Sequence, residues 1–225
     1  FRTLKTRAWY LGRWNKEYAK SLIDRSFPLV ISSVFGILQS RIDSLLVEQT
    51  FGTNALGQYS AALRMVEVFD AFGIVLSILL FPEFGRHAGT SLDRLARSAY
   101  LVGVLLYLMA LPAMYLLWMI FPYIFGSEFQ EGQDIMPWLF PRPLLYLIGM
   151  TRLGLLLAEE HYKRVPLYTG FAAFLTLLLF TPLTQKFGLE GAAMAGTLGM
   201  MISSIGLDLL IDRRNLHRLL QGPKA

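Results

Sequence analysis

The chain has 225 residues, 54% of them hydrophobic and only 16% charged, whereas about a quarter of the residues in a soluble domain are charged. The stretch from Ser98 to Ser127 contains no Asp, Glu, Lys or Arg, and about 20 apolar residues are enough for a helix to cross a bilayer core. An ordinary soluble domain is therefore excluded. The absence of cysteine excludes disulfides and thiolate metal sites. The net charge of +5 is distributed as in membrane proteins, so that we expect no nucleic-acid partner.

The first 25 residues are basic, with seven Lys and Arg residues. Apolar and aromatic side chains recur at every fourth position, at Tyr10, Trp14, Tyr18 and Leu22. This spacing places one apolar stripe opposite a basic face, as in helices that lie in the membrane interface. Residues 1–25 are therefore predicted to form an interfacial, cytoplasmic connector helix, with a solvated basic linker as the alternative.

The rest of the sequence predicts an all-α fold, a polytopic transmembrane helical bundle of about six spans. The bundle occupies residues 26–213 and is followed by a cytoplasmic tail at 214–225. Connectors are short, so that neighbouring spans run antiparallel. In the last span Gly191, Ala195 and Gly199 recur one turn apart, which predicts close packing of helix backbones. The candidate spans are 27–49, 57–84, 96–122, 132–158, 164–185 and 190–211.

Connectors rich in Lys and Arg alternate along the chain with connectors that have almost none. Sixteen of the 21 fall in the N-terminal segment, the second and fourth connectors and the C-terminal tail. Lys186 alone lies in the opposite loops, and four lie inside spans. Because cytoplasmic loops carry the excess of positive charge, the pattern predicts a multi-pass protein with both ends in the cytoplasm.

Ionisable residues also occur inside the first, second and fourth spans. An Arg at bilayer depth costs about 2.5–3.5 kcal/mol on insertion scales, so such side chains normally face protein or a wet cavity. We predict that these three spans line a hydrated cavity and that the other three pack around it. Arginines there would bind an anionic substrate, and carboxylates would couple transport to a proton or sodium ion. The candidates are Arg41, Arg64 and Arg142 for the anion, and Asp43, Glu67 and Asp70 for the ion.

The alternative for these residues is a structural network of buried ion pairs. Arg64 and Glu67 are three residues apart and can pair on one helix face. An inter-helix pair between Asp43 and Arg64 is a second arrangement that the spacing allows. Arg152 lies nearer the cytoplasmic end of its span, where its side chain can snorkel towards the headgroups.

Signatures of an enzyme are absent from the sequence. His87, His161 and His217 fall in predicted cytoplasmic connectors or the tail and lack metal-binding spacing. The cluster around His161 is interpreted as a charged interfacial turn. No nucleophile elbow, paired-histidine zinc motif or phosphate-binding glycine loop occurs. We therefore predict no catalytic residues, no metal and no cofactor.

Several short motifs occur in order along the chain: Phe27-Pro28-Leu29, Arg41-Ile42-Asp43, Gly57-Gln58-Tyr59-Ser60-Ala61-Ala62 with Arg64 and Glu67, Phe81-Pro82, Phe125-Gly126-Ser127-Glu128-Phe129 and Phe187-Gly188-Leu189-Glu190-Gly191-Ala192-Ala193. In this order they resemble the motifs of bacterial polysaccharide flippases. The chain resembles the O-antigen and capsule exporters of the multidrug/oligosaccharidyl-lipid/polysaccharide superfamily, whose MATE-like fold has two helical lobes. It resembles the C-terminal lobe, so that we expect an N-terminal lobe to precede it in a longer protein.

The resemblance implies alternating-access movement of an isoprenoid-pyrophosphate-linked oligosaccharide across the bacterial inner membrane. It implies that Arg41 and Arg64 meet the pyrophosphate or acidic sugars, whereas Arg142 matches by location only. The expected partners are this lipid-linked oligosaccharide, membrane lipids and the missing lobe.

Three alternatives to a flippase stay open. An organic-cation exporter of the same superfamily is disfavoured by the cavity arginines, because like charges repel. A membrane glycan polymerase or ligase usually carries a large extracytoplasmic loop, and the predicted outer loops are short. A structural scaffold would not need intramembrane arginines.

Overall fold

The computed structural model describes residues 16–87 and 89–206, and within these ranges all regular secondary structure is helical. The predicted all-α fold is therefore confirmed. Most of the predicted connector helix (1–25) and all of the predicted tail (214–225) lie outside the described residues.

Six α-helices make up most of the described chain, joined by short helical turns. They are α1 (Lys16–Glu67), α2 (Asp70–Arg86), α3 (Thr90–Phe125), α4 (Gln130–Leu139), α5 (Arg142–Ala158) and α6 (Val165–Met201). Two 3-10 helices, Ser127–Phe129 and Tyr162–Arg164, lie between them, and a π-helix, Ile202–Gly206, follows α6.

Helices α1 and α6 each fold back on themselves. At about 1.5 Å per residue, the 52 residues of α1 would measure about 78 Å, roughly twice the thickness of a bilayer. The reversals lie at Gly52 (φ 86°) and Gly188 (φ 58°), a region of φ that glycine adopts more readily than residues with a Cβ. The described part of the chain thus forms six segments, which we number from first to sixth: 16–51, 53–86, 90–125, 130–158, 165–187 and 189–206.

Contacts between the segments confirm that neighbours run antiparallel. Asp43, before the first reversal, contacts Tyr59 after it. At the opposite end, Arg25 near the start of the first segment lies 3.8 Å from Glu160 in the connector after the fourth. Two breaks inside segments were not predicted: residues 68–69 separate α1 from α2, and residues 140–141 separate α4 from α5.

The largest hydrophobic core lies near the end of the bundle that holds Gly52 and Gly188. It joins all six segments through side chains that are almost completely buried, including Val47, Met114 and Met136. Packing at this end leaves space between the segments towards the other end.

Large apolar side chains cover the outside of the bundle. On α3, Leu101, Leu105 and Met109 are spaced one turn apart and expose 54%, 59% and 77% of their surface. Soluble proteins rarely expose extended apolar patches. Three helices, Lys16–Glu67, Thr90–Phe125 and Tyr162–Ile205, are long and apolar enough to cross a membrane. The chain is accordingly a membrane protein.

The predicted close packing is confirmed at Gly191 and Gly199, which contact the fifth segment, and Ala195 is completely buried. A Cβ at Gly191 would overlap the carbonyl of Leu183. A Cβ at Gly199 would lie 3.0 Å from the backbone nitrogen of Thr176 and overlap its hydroxyl. Small residues therefore bring the two backbones of the α6 hairpin together.

Replacing Gly199 with Ala tests this close fit. We expect the added methyl group to lower the free energy of unfolding by about 1–3 kcal/mol, because it overpacks the interface. The matched control is Gly57→Ala, where nothing lies within 4 Å of the added methyl group, so that the change should be neutral or stabilising by up to about 1 kcal/mol. Reversible unfolding in mixed detergent micelles measures both, and equal effects would contradict the close fit.

Candidate functional site

A cavity of about 360 Å³ lies within the bundle, on the side away from the reversals at Gly52 and Gly188. Its lining side chains belong to residues 32–40, 63–70, 142–156, 165–169 and 200–204. The first, second and fourth segments line it, as predicted. The third segment was predicted to pack around the cavity without lining it, and it contributes no lining side chain.

The fifth and sixth segments also line the cavity, which corrects the prediction that they only pack. Tyr168 and Thr169 reach it from the fifth segment, and Ser203 and Ser204 reach it from the π-helix. These side chains are polar but uncharged. A count of charged residues along the sequence therefore missed them.

An ion pair between Asp43 and Arg142 lies at one end of the cavity. Asp43 is completely buried, and 8% of Arg142 is exposed. A guanidinium nitrogen of Arg142 lies 2.9 Å from Oδ2 of Asp43, and the hydroxyl of Tyr59 donates a 2.7 Å hydrogen bond to the same oxygen. The backbone N–H of Ser44 donates to the other oxygen at 2.9 Å. Partners thus surround the buried carboxylate, as a charge in a low-dielectric site requires.

The sixth segment leaves room for this ion pair at Gly196. A Cβ at Gly196 would lie 3.0 Å from Oδ2 of Asp43 and 3.6 Å from a guanidinium nitrogen of Arg142. The ion pair therefore joins the first and fourth segments directly and fits against the backbone of the sixth.

Of the two ion pairs that the sequence spacing allows, the structure contains one. Arg64 pairs with Glu67 on its own helix at 3.1 Å, as predicted. The arrangement in which Asp43 pairs with Arg64 is wrong, because the reversal at Gly52 places Tyr59 opposite Asp43. Arg142 pairs instead with Asp43 of the first segment.

Arg41 and Arg64 lie on the exposed surface and do not line the cavity. Arg64 is nevertheless close to it, because its partner Glu67 is a lining residue. The anion-binding roles of both arginines stay predictions.

Glu67 and Asp70 lie on either side of the break between α1 and α2, and both line the cavity. Oδ1 of Asp70 is buried and has no hydrogen-bond partner. A buried carboxylate oxygen without a partner is costly, and such polar groups within membrane helices mark substrate or ion pathways. The hydropathy pattern did not predict the break that places Asp70 at the start of α2.

Arg152 does not snorkel, contrary to the prediction. It is 4% exposed, and one guanidinium nitrogen donates to the carbonyls of Ser203 (3.2 Å) and Ser204 (3.0 Å) in the π-helix. Its guanidinium also lies over the ring of Tyr168, 4.1 Å from the centroid, which is a cation–π contact. These carbonyl acceptors hold the side chain of Arg152 inside the bundle. Sequence spacing does not reveal them.

The histidines that the structure describes lie in turns. Nδ1 of His161 lies 3.6 Å from Glu159, which agrees with the interpretation of a charged interfacial turn. His87 lies 3.9 Å from Glu83, and His217 is outside the described residues.

Replacing Arg142 with Met tests the buried ion pair. We expect a loss of about 3–5 kcal/mol of stability, because the carboxylate of Asp43 is left buried without its countercharge. Adding Asp43→Asn should recover much of that loss. The control Arg86→Met removes an exposed 2.7 Å pair with Glu83, for which the expected loss is at most about 1 kcal/mol. Unfolding of the purified protein in detergent measures the difference, and equal losses would contradict a buried pair.

The sequence is similar to known proteins of polysaccharide biosynthesis, as the motifs indicated. The capsular polysaccharide biosynthesis protein CapF of Staphylococcus aureus is 22% identical over 212 residues, 88% of this chain and 53% of CapF. The chain thus spans about half the length of that curated relative. No solved structure matches it. Residues 3–131, more than half of the chain, match the family described as polysaccharide biosynthesis protein, and the chain belongs to this family.

Proposed function

We propose that the chain forms part of a flippase for an isoprenoid-pyrophosphate-linked oligosaccharide. The observation that carries the proposal is a cavity between helices of a membrane bundle that is lined by charged side chains, among them Asp70, Arg142 and Arg152. Polar groups are expensive at membrane depth and are typical of pathways for substrates or ions. Membership of the polysaccharide biosynthesis family supports a glycan as the transported group.

A glycan polymerase or ligase fits these features less well. Such enzymes usually need a large extracytoplasmic loop. Among the residues that the structure describes, the reversals at Gly52 and Gly188 are tight, and only Gly126 and a 3-10 helix separate α3 from α4. The short connections therefore favour transport.

An organic-cation exporter of the same superfamily is the second candidate. The unpaired oxygen of Asp70 in the cavity favours it, since a carboxylate attracts a cation. The family match favours the glycan instead.

The proposed roles of the site residues follow their positions. Exposed Arg41 and Arg64 are proposed to meet the anionic pyrophosphate, and Arg142 to shape the end of the cavity. Asp70 is the best placed of the ion-coupling candidates, because Asp43 is held in an ion pair and Glu67 pairs with Arg64.

The proposed location is the bacterial cytoplasmic membrane, with both ends of the chain in the cytoplasm. The alternation of basic connectors supports this orientation. A second helical lobe is proposed to complete the pathway, and the relative of about twice the length supports it.

The test is a flipping assay with the full-length protein in proteoliposomes that contain a fluorescent isoprenoid-pyrophosphate oligosaccharide. We expect Arg64→Ala to slow flipping at least about tenfold, because a hydrogen bond to a charged group typically contributes at least about that factor to binding. Arg86→Ala is the matched control, because Arg86 is also exposed and also pairs with a glutamate three residues away. It should leave the rate unchanged.

Two results would count against this account. If the wild-type protein does not accelerate flipping, the flippase proposal fails. If Arg64→Ala and Arg86→Ala flip equally fast, the flippase stands but the role of Arg64 in binding the anion is wrong.

A further inference from the structure

The cavity lies between two groups of helices, each of which packs closely within itself. In the first group α5 lies against α2, since a Cβ at Gly154 would lie 2.7 Å from the ring of Phe84. A hydrophobic core that includes Phe84, Tyr100 and Leu155 joins this pair to the first part of α3. We call α2, α5 and residues 90–103 the inner arm, because they reach the inner end of the bundle, opposite the two reversals.

The second group consists of the first segment and the hairpin of α6, and we call it the α6 wall. Oγ of Ser32 lies 3.4 Å from Oγ1 of Thr169. A Cβ at Gly170 would lie 3.2 Å from the ring of Phe35. The first and fifth segments thus pack side by side, and the cavity lies between them and α5.

Each segment of the inner arm has a hinge point on the side towards the outer end. At residues 68–69, the N–H groups of Phe69 and Phe72 donate to carbonyls three residues back instead of four, and such a stretch within a helix often marks a hinge. Pro141 at the second break and Pro112 within α3 have no N–H to donate to the preceding turn, and prolines are common sites of helix kinks. The inner arm can therefore turn as a unit about these three points.

Arg152 links the inner arm to the α6 wall at the inner end of the cavity. Its guanidinium donates to the carbonyls of Ser203 and Ser204 and lies 4.1 Å from the centroid of the Tyr168 ring. Leu156 and Tyr168 also belong to a small hydrophobic cluster at this end. The two carbonyls belong to a π-helix, and π-helical turns occur frequently at functional sites.

The outer end of the cavity is held more firmly. There the largest hydrophobic core joins all six segments, and the buried pair of Asp43 with Arg142 connects the first and the fourth. Among the described residues, the cluster at the inner end has three buried side chains and the outer core has sixteen. Because less apolar contact has to be lost there, the inner end is the easier one to open.

We infer that the contacts of Arg152 with the π-helix and with Tyr168 form a latch that keeps the cavity closed at its inner end. When the latch is released, the inner arm turns about its three hinge points and the cavity opens there. In the proposed orientation this end faces the cytoplasm. The inference concerns access to the cavity and goes beyond the proposed flippase, because it holds whatever the chain transports.

Thiol labelling of the full-length protein in lipid nanodiscs tests the latch, with Ser204→Cys as the single cysteine. Ser204 lines the cavity but is only 5% exposed while the latch is closed. We expect Arg152→Gln to accelerate labelling by an anionic, membrane-impermeant reagent at least about tenfold, because hydrogen bonds from the charged donor stabilise only the closed state. Loss of the positive charge by itself would slow the reaction, since it disfavours both the thiolate and the approach of the reagent. Faster labelling therefore reports opening.

Two substitutions of Tyr168 provide a matched pair. Tyr168→Leu removes the cation–π contact and should accelerate labelling at least about twofold. Tyr168→Phe keeps an aromatic ring beneath Arg152 and should leave the rate unchanged. A separate reporter, Val47→Cys, lies in the outer core at a position that is completely buried, and it should stay unlabelled in every variant.

Electron–electron distance measurements between spin labels test the movement of the inner arm. One pair of labels, at Ser26 on the first segment and Gly85 on α2, lies near the inner end. The control pair, at Gly57 and Gln185, lies near the outer end, and all four positions are exposed. Arg152→Gln should shift the inner pair to longer distances and leave the outer pair unchanged.

The inference is overturned if Arg152→Gln does not accelerate labelling of Ser204→Cys, or if Tyr168→Phe and Tyr168→Leu have equal effects. It is also overturned if Val47→Cys becomes labelled or the outer distance changes as much as the inner one, because the bundle then loosens as a whole. None of these measurements involves flipping, so that the flippase proposal and the latch can fail independently.

Discussion

The burial of Asp43 is the constraint on which the rest of the site depends. A completely buried carboxylate within a membrane bundle is stabilised by a countercharge and hydrogen-bond donors. Arg142 supplies the charge, and Tyr59 and the backbone of Ser44 supply donors. Since these partners come from different segments, satisfying one charge fixes the positions of three segments, and Gly196 lets a fourth approach.

The cavity lies next to the ion pair between Asp43 and Arg142. Arg142 closes it at one end, and at the other Arg152 is held by the π-helix and by Tyr168. Besides these two arginines, the polar side chains that line the cavity include Gln39, Glu67 and Asp70, together with several hydroxyl groups. The cavity thus combines a mainly apolar wall with a few charged and polar side chains, as is typical of small-ligand sites.

Much of the fold follows from the sequence, because a bilayer allows few backbone structures and an isolated span must be helical. Loops rich in Lys and Arg also alternate with loops that have few of these residues. The Arg64–Glu67 pair was predictable because both residues lie on one helix. The partner of Asp43 was not, because sequence spacing does not reveal which helices meet. Likewise, the acceptors that hold Arg152 are backbone carbonyls, which every residue carries, so that no side-chain motif marks them.

A pathway for a polar substrate requires that water reach the cavity between these helices at membrane depth. The chain contains no cysteine, so single cysteines can be placed at Met150, which lines the cavity, and at Leu105, which lies on the exposed apolar face of α3. In lipid nanodiscs, a charged, water-soluble thiol reagent should label Met150→Cys far faster than Leu105→Cys, since the reactive thiolate forms only where water reaches it. Equal labelling rates, or faster labelling of Leu105→Cys, would contradict the account.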